Sequence, residues 1–251
     1  HDFLKPDRVI IGTQTEKSKK IMEELYKPLS LIQTPIISTS IEASEIIKYA
    51  SNSFLATKIG FINQIADLCE AVGADVEDVA KGMGIDKRIG SKFLNAGPGY
   101  GGSCFPKDVK AFFSTAKKYN VDFSIINAVN SYNEIRPDQI VKKILNTKKY
   151  NNESKIAILG LSFKPNTDDI RESTSIKIAN LLLREGIKIN CYDPAAMDNA
   201  KKQFPNFIYC QSAYDACVKV DAIIICTEWN EFRELNFLKI KENLNQSIIY
   251  D

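Results

Sequence analysis

Histidine is almost missing from this chain. The one copy is His1, so neither a histidine general base nor a histidine-rich metal site can be assembled. Whatever chemistry the sequence supports must run on cysteine, lysine, aspartate, glutamate or asparagine. Charge imbalance is missing too: 33 basic and 31 acidic side chains leave +2, which implies no nucleic-acid or membrane partner. Apolar runs such as Ala222–Cys226 stop far short of the ~18 residues of a spanning helix, so the chain reads as soluble. The six cysteines (Cys69, Cys104, Cys191, Cys210, Cys217 and Cys226) include no C-x-x-C pair, a usage that fits a reducing, cytoplasmic compartment. An initiating methionine and a signal-peptide pattern are also absent, and strand-like Ser247-Ile248-Ile249-Tyr250 runs straight to Asp251. The sequence is therefore expected to be cut at both ends.

What is present is 251 residues of ordinary globular composition, room for two units of about 100–150 residues each. Arg8–Ile11, Glu16–Tyr26 and Pro35–Ser38 read as strand, helix and strand, the tail of an α/β domain. Thr39-Ser40-Ile41-Glu42 has the form of a capping box. It opens a helix predicted from about Ile41 to Val72, with Gly73 as its stop, long enough for a connector or a dimer spine. Val76–Gly82 is predicted as a short helix and Lys87–Leu94 as another turn or two. Pro106 suits the first turn of a helix over Phe105–Tyr119; a further helix covers Phe123–Arg136, and Pro137-Asp138 opens the next. The polar stretch Asn146–Ser154 is the linker candidate. From Lys155 the pattern becomes βαβαβ, with strands at 155–161, 188–192, 208–210 and 222–227 and helices at 173–185, 196–203 and 213–218. That is a doubly wound, Rossmann-like fold, whose ligands sit at the carboxyl ends of its strands. The expected division is 1–38, the end of an α/β domain; 39–145, a central helical region; and 146–251, the doubly wound domain.

Three segments carry residues suited to chemistry. In Gly97-Pro98-Gly99-Tyr100-Gly101-Gly102-Ser103-Cys104, glycines admit close backbone approach, and a cysteine at a helix N-terminus feels the positive end of the dipole, which favours thiolate. Asp108 follows four residues later on the same helix face, where a carboxylate can position water. The plain alternative is a tight turn before a buried structural cysteine. Lys48 and Asn52, also four apart, offer an ammonium and an amide for an oxyanion, against the alternative of a solvated helix face. Gly160 through Ser173 occupies the first βα turn of the doubly wound unit but lacks G-x-G-x-x-G. Lys164 and Arg171 still offer cations to phosphate there, the alternative being surface charge in a loop.

Taken in order, Pro6–Gly12, Glu45 through Asn63, Arg88-Ile89-Gly90, Gly97–Asp108 and Phe163–Ser175 resemble the UDP-glucose/GDP-mannose dehydrogenase family. Tyr100 ahead of Gly101-Gly102-Ser103-Cys104-Phe105-Pro106-Lys107-Asp108 looks most like those members that oxidise UDP-glucose. The resemblance implies an N-terminal NAD-binding Rossmann domain, of which residues 1–38 are a remnant, a central region dimerising through its long helix, and a C-terminal UDP-binding domain. It implies Cys104 as nucleophile, Lys48 and Asn52 beside the reacting C6 oxygen, and Asp108 at the water step. Arg88 resembles an arginine reaching the neighbouring subunit's substrate. Asn95, Gly99, Tyr100, Gly101, Phe163 and Lys164 resemble substrate contacts, with Asn95 standing where some members carry lysine, and Arg171 resembles a cofactor contact. The implied activity is oxidation of UDP-glucose to UDP-glucuronate with two NAD⁺ and no metal. The glycine-rich cofactor loop is expected upstream, so residues 1–251 alone are expected inactive. The alternatives are a UDP-N-acetylhexosamine or GDP-mannose dehydrogenase, a catalytically silent sugar-nucleotide module, or an oligomerising protein built on the long helix.

Overall fold

A computed structural model describes residues 5–251, so His1 lies outside them. The chain forms two compact units, His1–Phe54 and Leu55–Asp251, and the division falls inside one helix. In the first unit, β1 (Val9–Gly12) and β2 (Ile36–Thr39) pair in parallel, with Val9 opposite Ile36. The connection between them is α1 (Glu16–Tyr26) and a 3₁₀ stretch, Lys27–Ile32. Thr15 caps α1 by accepting from the Ser18 N–H at 3.1 Å. Then α2 (Ile41–Val72) begins. Its cap is Ser40, which accepts from the Ala43 N–H at 3.1 Å, rather than Thr39 of the expected box. Glu42 lies in the first turn, one residue short of the reciprocal position.

The second unit holds the remainder of α2, then α3 (Val76–Ile85), α4 (Phe105–Lys118) and α5 (Ser124–Thr147). Lys87–Leu94 is not helical, because Gly90 at φ +70° and Phe93 at φ +65° turn the chain left-handed. The break expected at Pro137 does not occur. α5 runs through it as one helix of 24 residues. An interior proline costs about 3 kcal/mol, and here tertiary packing offsets it: Pro137 is buried between the buried Arg136 and Val141. Asn146 and Thr147 finish this helix, so the expected linker starts late. Asn151 then closes it as a turn, its side-chain oxygen accepting from the Glu153 and Ser154 N–H groups.

From there β3 (Lys155–Leu159), α6 (Thr174–Arg184), β4 (Lys188–Tyr192), α7 (Met197–Gln203), β5 (Ile208–Tyr209), α8 (Ala213–Ala216) and β6 (Ala222–Ile225) alternate. Two short helices, α9 (Asn230–Arg233) and α10 (Phe237–Lys241), precede β7 (Ile249–Tyr250). The sheet is parallel in the order β5-β4-β3-β6-β7, the doubly wound arrangement. Both faces are covered, which is why the strands read as continuous apolar runs rather than alternating ones. Ile156 and Ile158 pack toward Ile178 and Leu182 of α6 and Ile144 of α5. Ala157 and Leu159 pack toward Ala213, Ala216 and Phe232 on the other face. The order reverses between β3 and β6, so the crevice at the carboxyl ends lies beside Gly160–Phe163 and Thr227. Among the described residues no helix is long and apolar enough to cross a membrane, and no cluster of three His, Cys, Asp or Glu could hold a metal ion.

Candidate active site

The glycine-rich segment 97–102 has no regular structure, so its peptide groups need partners from elsewhere. Gly97 donates its N–H to Asn63 Oδ1 at 2.8 Å, and its carbonyl accepts from Arg136 Nε at 2.7 Å. Tyr100 is held through its whole backbone by Asn133: its N–H donates to Oδ1 at 2.8 Å, and its carbonyl accepts from Nδ2 at 3.0 Å. Further along, the Gly102 N–H donates to the Arg171 carbonyl at 2.8 Å. A side chain at Gly102 would stand 2.6 Å from the Phe163 ring, and one at Gly101 would strike the Glu172 carbonyl. These glycines are needed so that the loop can lie against the 163–172 segment.

That approach delivers Cys104 to the N-terminus of α4, where it is the N-cap residue with an exposed thiol. The Ser103 hydroxyl is 3.7 Å from its sulfur. Asp108, one turn on, is buried at 1% exposure, with the exposed Lys107 ammonium 3.9 Å from its carboxylate. Tyr100, expected among the substrate contacts, is 5% exposed, and its ring packs edge-on against Phe105 at 6.1 Å. Its side chain belongs to the core, with Ala56 and Val109, and its backbone is taken by Asn133. Burial, with a smaller effect from Glu134, pushes its phenol well above the usual range.

Opposite the cysteine loop, the first βα turn is closed on itself. The Phe163 N–H donates to the Asp169 carbonyl at 3.1 Å, and the Ser173 hydroxyl donates to the Leu161 carbonyl at 2.7 Å. Phe163 is half-buried, with the Lys164 ammonium 5.3 Å from its ring centroid. Arg171 is exposed and makes a two-pronged pair with Asp169, Nε to Oδ1 at 2.9 Å and Nη2 to Oδ2 at 2.7 Å. That pair raises the arginine pKa and lowers the aspartate's; the Cys104 sulfur adds a smaller upward pull on Arg171.

A nicotinamide dinucleotide does not fit this turn. The carboxylate at the end of the second strand, which would hold a ribose, is Asp193, and it is 1% exposed. Its Oδ2 accepts from the Leu161 N–H at 2.7 Å and from the Ser162 N–H and hydroxyl at 2.9 Å. Its Oδ1 accepts from the Ala195 and Ala196 N–H groups at 2.9 and 2.8 Å. With no G-x-G-x-x-G and no available acid, residues 155–251 lack that cofactor's cradle.

In the first unit, Lys48 and Asn52 line a cavity of about 670 Å³ together with Asp7, Arg8, Glu45 and Tyr49. Arg8 donates to the Ser51 hydroxyl at 3.1 Å across its wall. Arg88 is fully exposed and paired with Asp86, Nη2 to Oδ2 at 2.6 Å; the following carbonyls of Ile89 and Gly90 are held by Lys58. Asn95 is exposed. The sequence reading missed Asn63, Asn133 and Arg136. The available signal was polar residues set three or four apart, Asn63 with Asp67 and Asn133 with Arg136, on helix faces that otherwise turn inward.

The chain matches two profiles of one family, the UDP-glucose/GDP-mannose dehydrogenase family: its central domain over residues 42–135 and its UDP binding domain over residues 157–251. It is 47% identical to the UDP-glucose 6-dehydrogenase of Rickettsia conorii over 253 residues, taking in 100% of this chain and 58% of that protein. It is 45% identical to the UDP-glucose 6-dehydrogenase YwqF of Bacillus subtilis, covering 57% of that protein. Among solved structures, the UDP-glucose dehydrogenase of Pyrobaculum islandicum superposes with a TM-score of 0.91 at 33% identity, over 100% of this chain and 59% of that one. The chain thus spans a little under three-fifths of the relatives it matches. With the central helical region, the parallel doubly wound sheet and both profiles in agreement, this chain belongs to the UDP-glucose/GDP-mannose dehydrogenase family.

Proposed function

We propose that this chain supplies the nucleophile and the sugar-nucleotide grip of an NAD-dependent UDP-glucose 6-dehydrogenase, which converts the C6 alcohol of UDP-glucose to the carboxylate of UDP-glucuronate. The supporting observation is the exposed Cys104 at the head of α4, on a loop bound to the 163–172 segment of the UDP-binding domain. Each oxidation removes a proton and a hydride from the alcohol or its adduct, and a nicotinamide cofactor supplies the hydride acceptor. This chain's residues do the remainder. After the first oxidation the Cys104 sulfur adds to the aldehyde carbon, and the oxygen takes up a proton to give a thiohemiacetal. That adduct still carries a hydrogen on carbon, so a second oxidation gives a thioester. Water adds to the thioester carbonyl, the C–S bond breaks, and the thiol and carboxylate are released.

In this reading Lys48 and Asn52 steady the oxygen of each tetrahedral stage, and Asp108 orients the attacking water. Phe163 and Lys164, with the backbone of Gly99 and Gly101 and the side chain of Asn95, hold the nucleotide sugar, while Tyr100, whose backbone groups are taken by Asn133, anchors the loop rather than touching the substrate. Arg88 reaches a neighbouring subunit's substrate, and Arg171 contacts the cofactor. The domains are 1–38, 39–145 and 146–251. The subunit pairs through α2, whose exposed Phe54, Phe61 and Leu68 recur every seven residues. The six free cysteines fit a cytoplasmic setting.

The test is Cys104→Ser in the intact protein, assayed for NADH and uronate formation with UDP-glucose. Turnover to the uronate is expected to be lost. Unchanged turnover removes the cysteine from the mechanism.

A further inference from the structure

Between Tyr100 and Cys104 lie Gly101, Gly102 and Ser103, so little side-chain mass fixes the thiol from within its own loop. Beyond the Gly102 contact with the 163–172 segment, the hold comes from α5. Asn133, 9% exposed, spends both ends of its carboxamide on Tyr100, accepting from its N–H and donating to its carbonyl, as one strand would pair with another. Its Oδ1 also stands 2.7 Å from where a Cβ on Gly99 would be, and Gly99 has φ +122°. A glycine at 99 and an asparagine at 133 therefore specify each other. From Tyr100 the constraint passes onward through its ring, which meets Phe105 edge-on, and Phe105 is the residue after Cys104. One turn further along α5, Arg136 fixes Gly97, so two successive inward positions of this helix grip the loop.

We infer that Asn133 is a positioning residue for the cysteine: by locking the Tyr100 peptide it sets the angle at which the Cys104 sulfur meets the reacting carbon. This rests on the reading of Cys104 as nucleophile. Asn133 touches no reacting atom. A role confined to stability would lower the melting temperature and leave the chemistry of the folded protein alone, whereas a positioning role lowers kcat by far more than it raises KM for UDP-glucose. Misplacing a reacting group by about 1 Å costs on the order of 100-fold in rate.

The experiment compares Asn133→Ala, Asn133→Asp and Cys104→Ser in the intact protein. It reads kcat and KM for UDP-glucose, the rate of Cys104 alkylation by iodoacetamide, and the thermal midpoint. Asn133→Ala is expected to lose about 100-fold in kcat and to alkylate at an altered rate, with KM rising far less than kcat falls. Asn133→Asp keeps the acceptor for the Tyr100 N–H while losing the donor, and is expected to recover part of kcat. It also decides the matter if the alanine variant does not fold. Wild-type kcat and alkylation rate in a folded Asn133 variant, alongside lost turnover in Cys104→Ser, overturn the positioning role alone. Unchanged turnover in Cys104→Ser overturns the nucleophile reading and this inference with it.

Discussion

Gly102 lies against the Phe163 ring of the UDP-binding domain, and Gly102→Ala puts a number on that contact. The residue sits at φ +79°, a conformation that costs a side-chain-bearing residue about 1–2 kcal/mol. The added methyl would lie 2.6–2.8 Å from three Phe163 ring carbons, and overpacking of that kind typically costs about 1–3 kcal/mol. Keeping the loop in place therefore costs about 2–5 kcal/mol in total. Letting it swing away forfeits the Gly102 to Arg171 hydrogen bond, worth about 1 kcal/mol net, and the glycine's contact with the ring. Release is cheaper than compression. The variant should stay folded, lose no more than about 2 kcal/mol in urea titration, and free the segment carrying Cys104. Gly97→Ala is the internal control, because a Cβ there meets nothing within 4 Å. Iodoacetamide alkylation of Cys104, followed by mass spectrometry, reads the release. If Gly102→Ala matches Gly97→Ala in both urea midpoint and alkylation rate, the loop is not held against Phe163 as described.

Tyr100→Phe should be neutral or stabilising by up to about 1 kcal/mol, because the phenol oxygen is buried with no hydrogen-bond partner among the described residues. A thermal melt showing clear destabilisation would contradict that. Peptide mapping after brief iodoacetamide treatment at neutral pH should find Cys104 labelled while Cys191 and Cys217 stay unmodified, since both are buried and burial pushes their thiols up to about 12. Early labelling of either would mean that the sheet opens. Burial opposes ionisation of Asp67, but hydrogen bonds from Lys143 and Tyr132 and the charge of Arg136 outweigh it and hold the carboxyl below its ordinary 3.8. A depressed carboxylate stabilises the fold above its unfolded pKa and loses that contribution as pH falls through the folded one. Acid titration of stability should therefore show a drop below about pH 4 that is smaller in Asp67→Asn, and identical acid profiles would refute the assignment.

Local signals placed most of the regular elements. The bounds of α1, α2 and β4 follow directly from periodicity, and the remaining strands of the doubly wound sheet fall within two residues of their expected ends. Those features depend on neighbours in sequence: a cap, an apolar run, a glycine stop. Lys87–Leu94, expected as a turn or two of helix, is not one because two left-handed residues, Gly90 and Phe93, break it. The short α9 and α10, of four and five residues, carry too few positions for a period to be read.

The sequence by itself determined the doubly wound half and the long helix, since each is written in local pattern, and it singled out Cys104 by its place in a contiguous motif. Only the tertiary structure decided what holds that thiol. Pro137 continues a helix because packing outweighs its missing hydrogen bond. Tyr100 lies inside the core rather than facing a ligand, and Asp193 is spent on holding the first βα turn closed. Asn63, Asn133 and Arg136 meet the loop across 34, 33 and 39 residues of chain. Hydrogen bonds closed over such separations leave no mark on local propensity; they exist only once the helices have packed and an irregular loop's peptide groups need partners away from water.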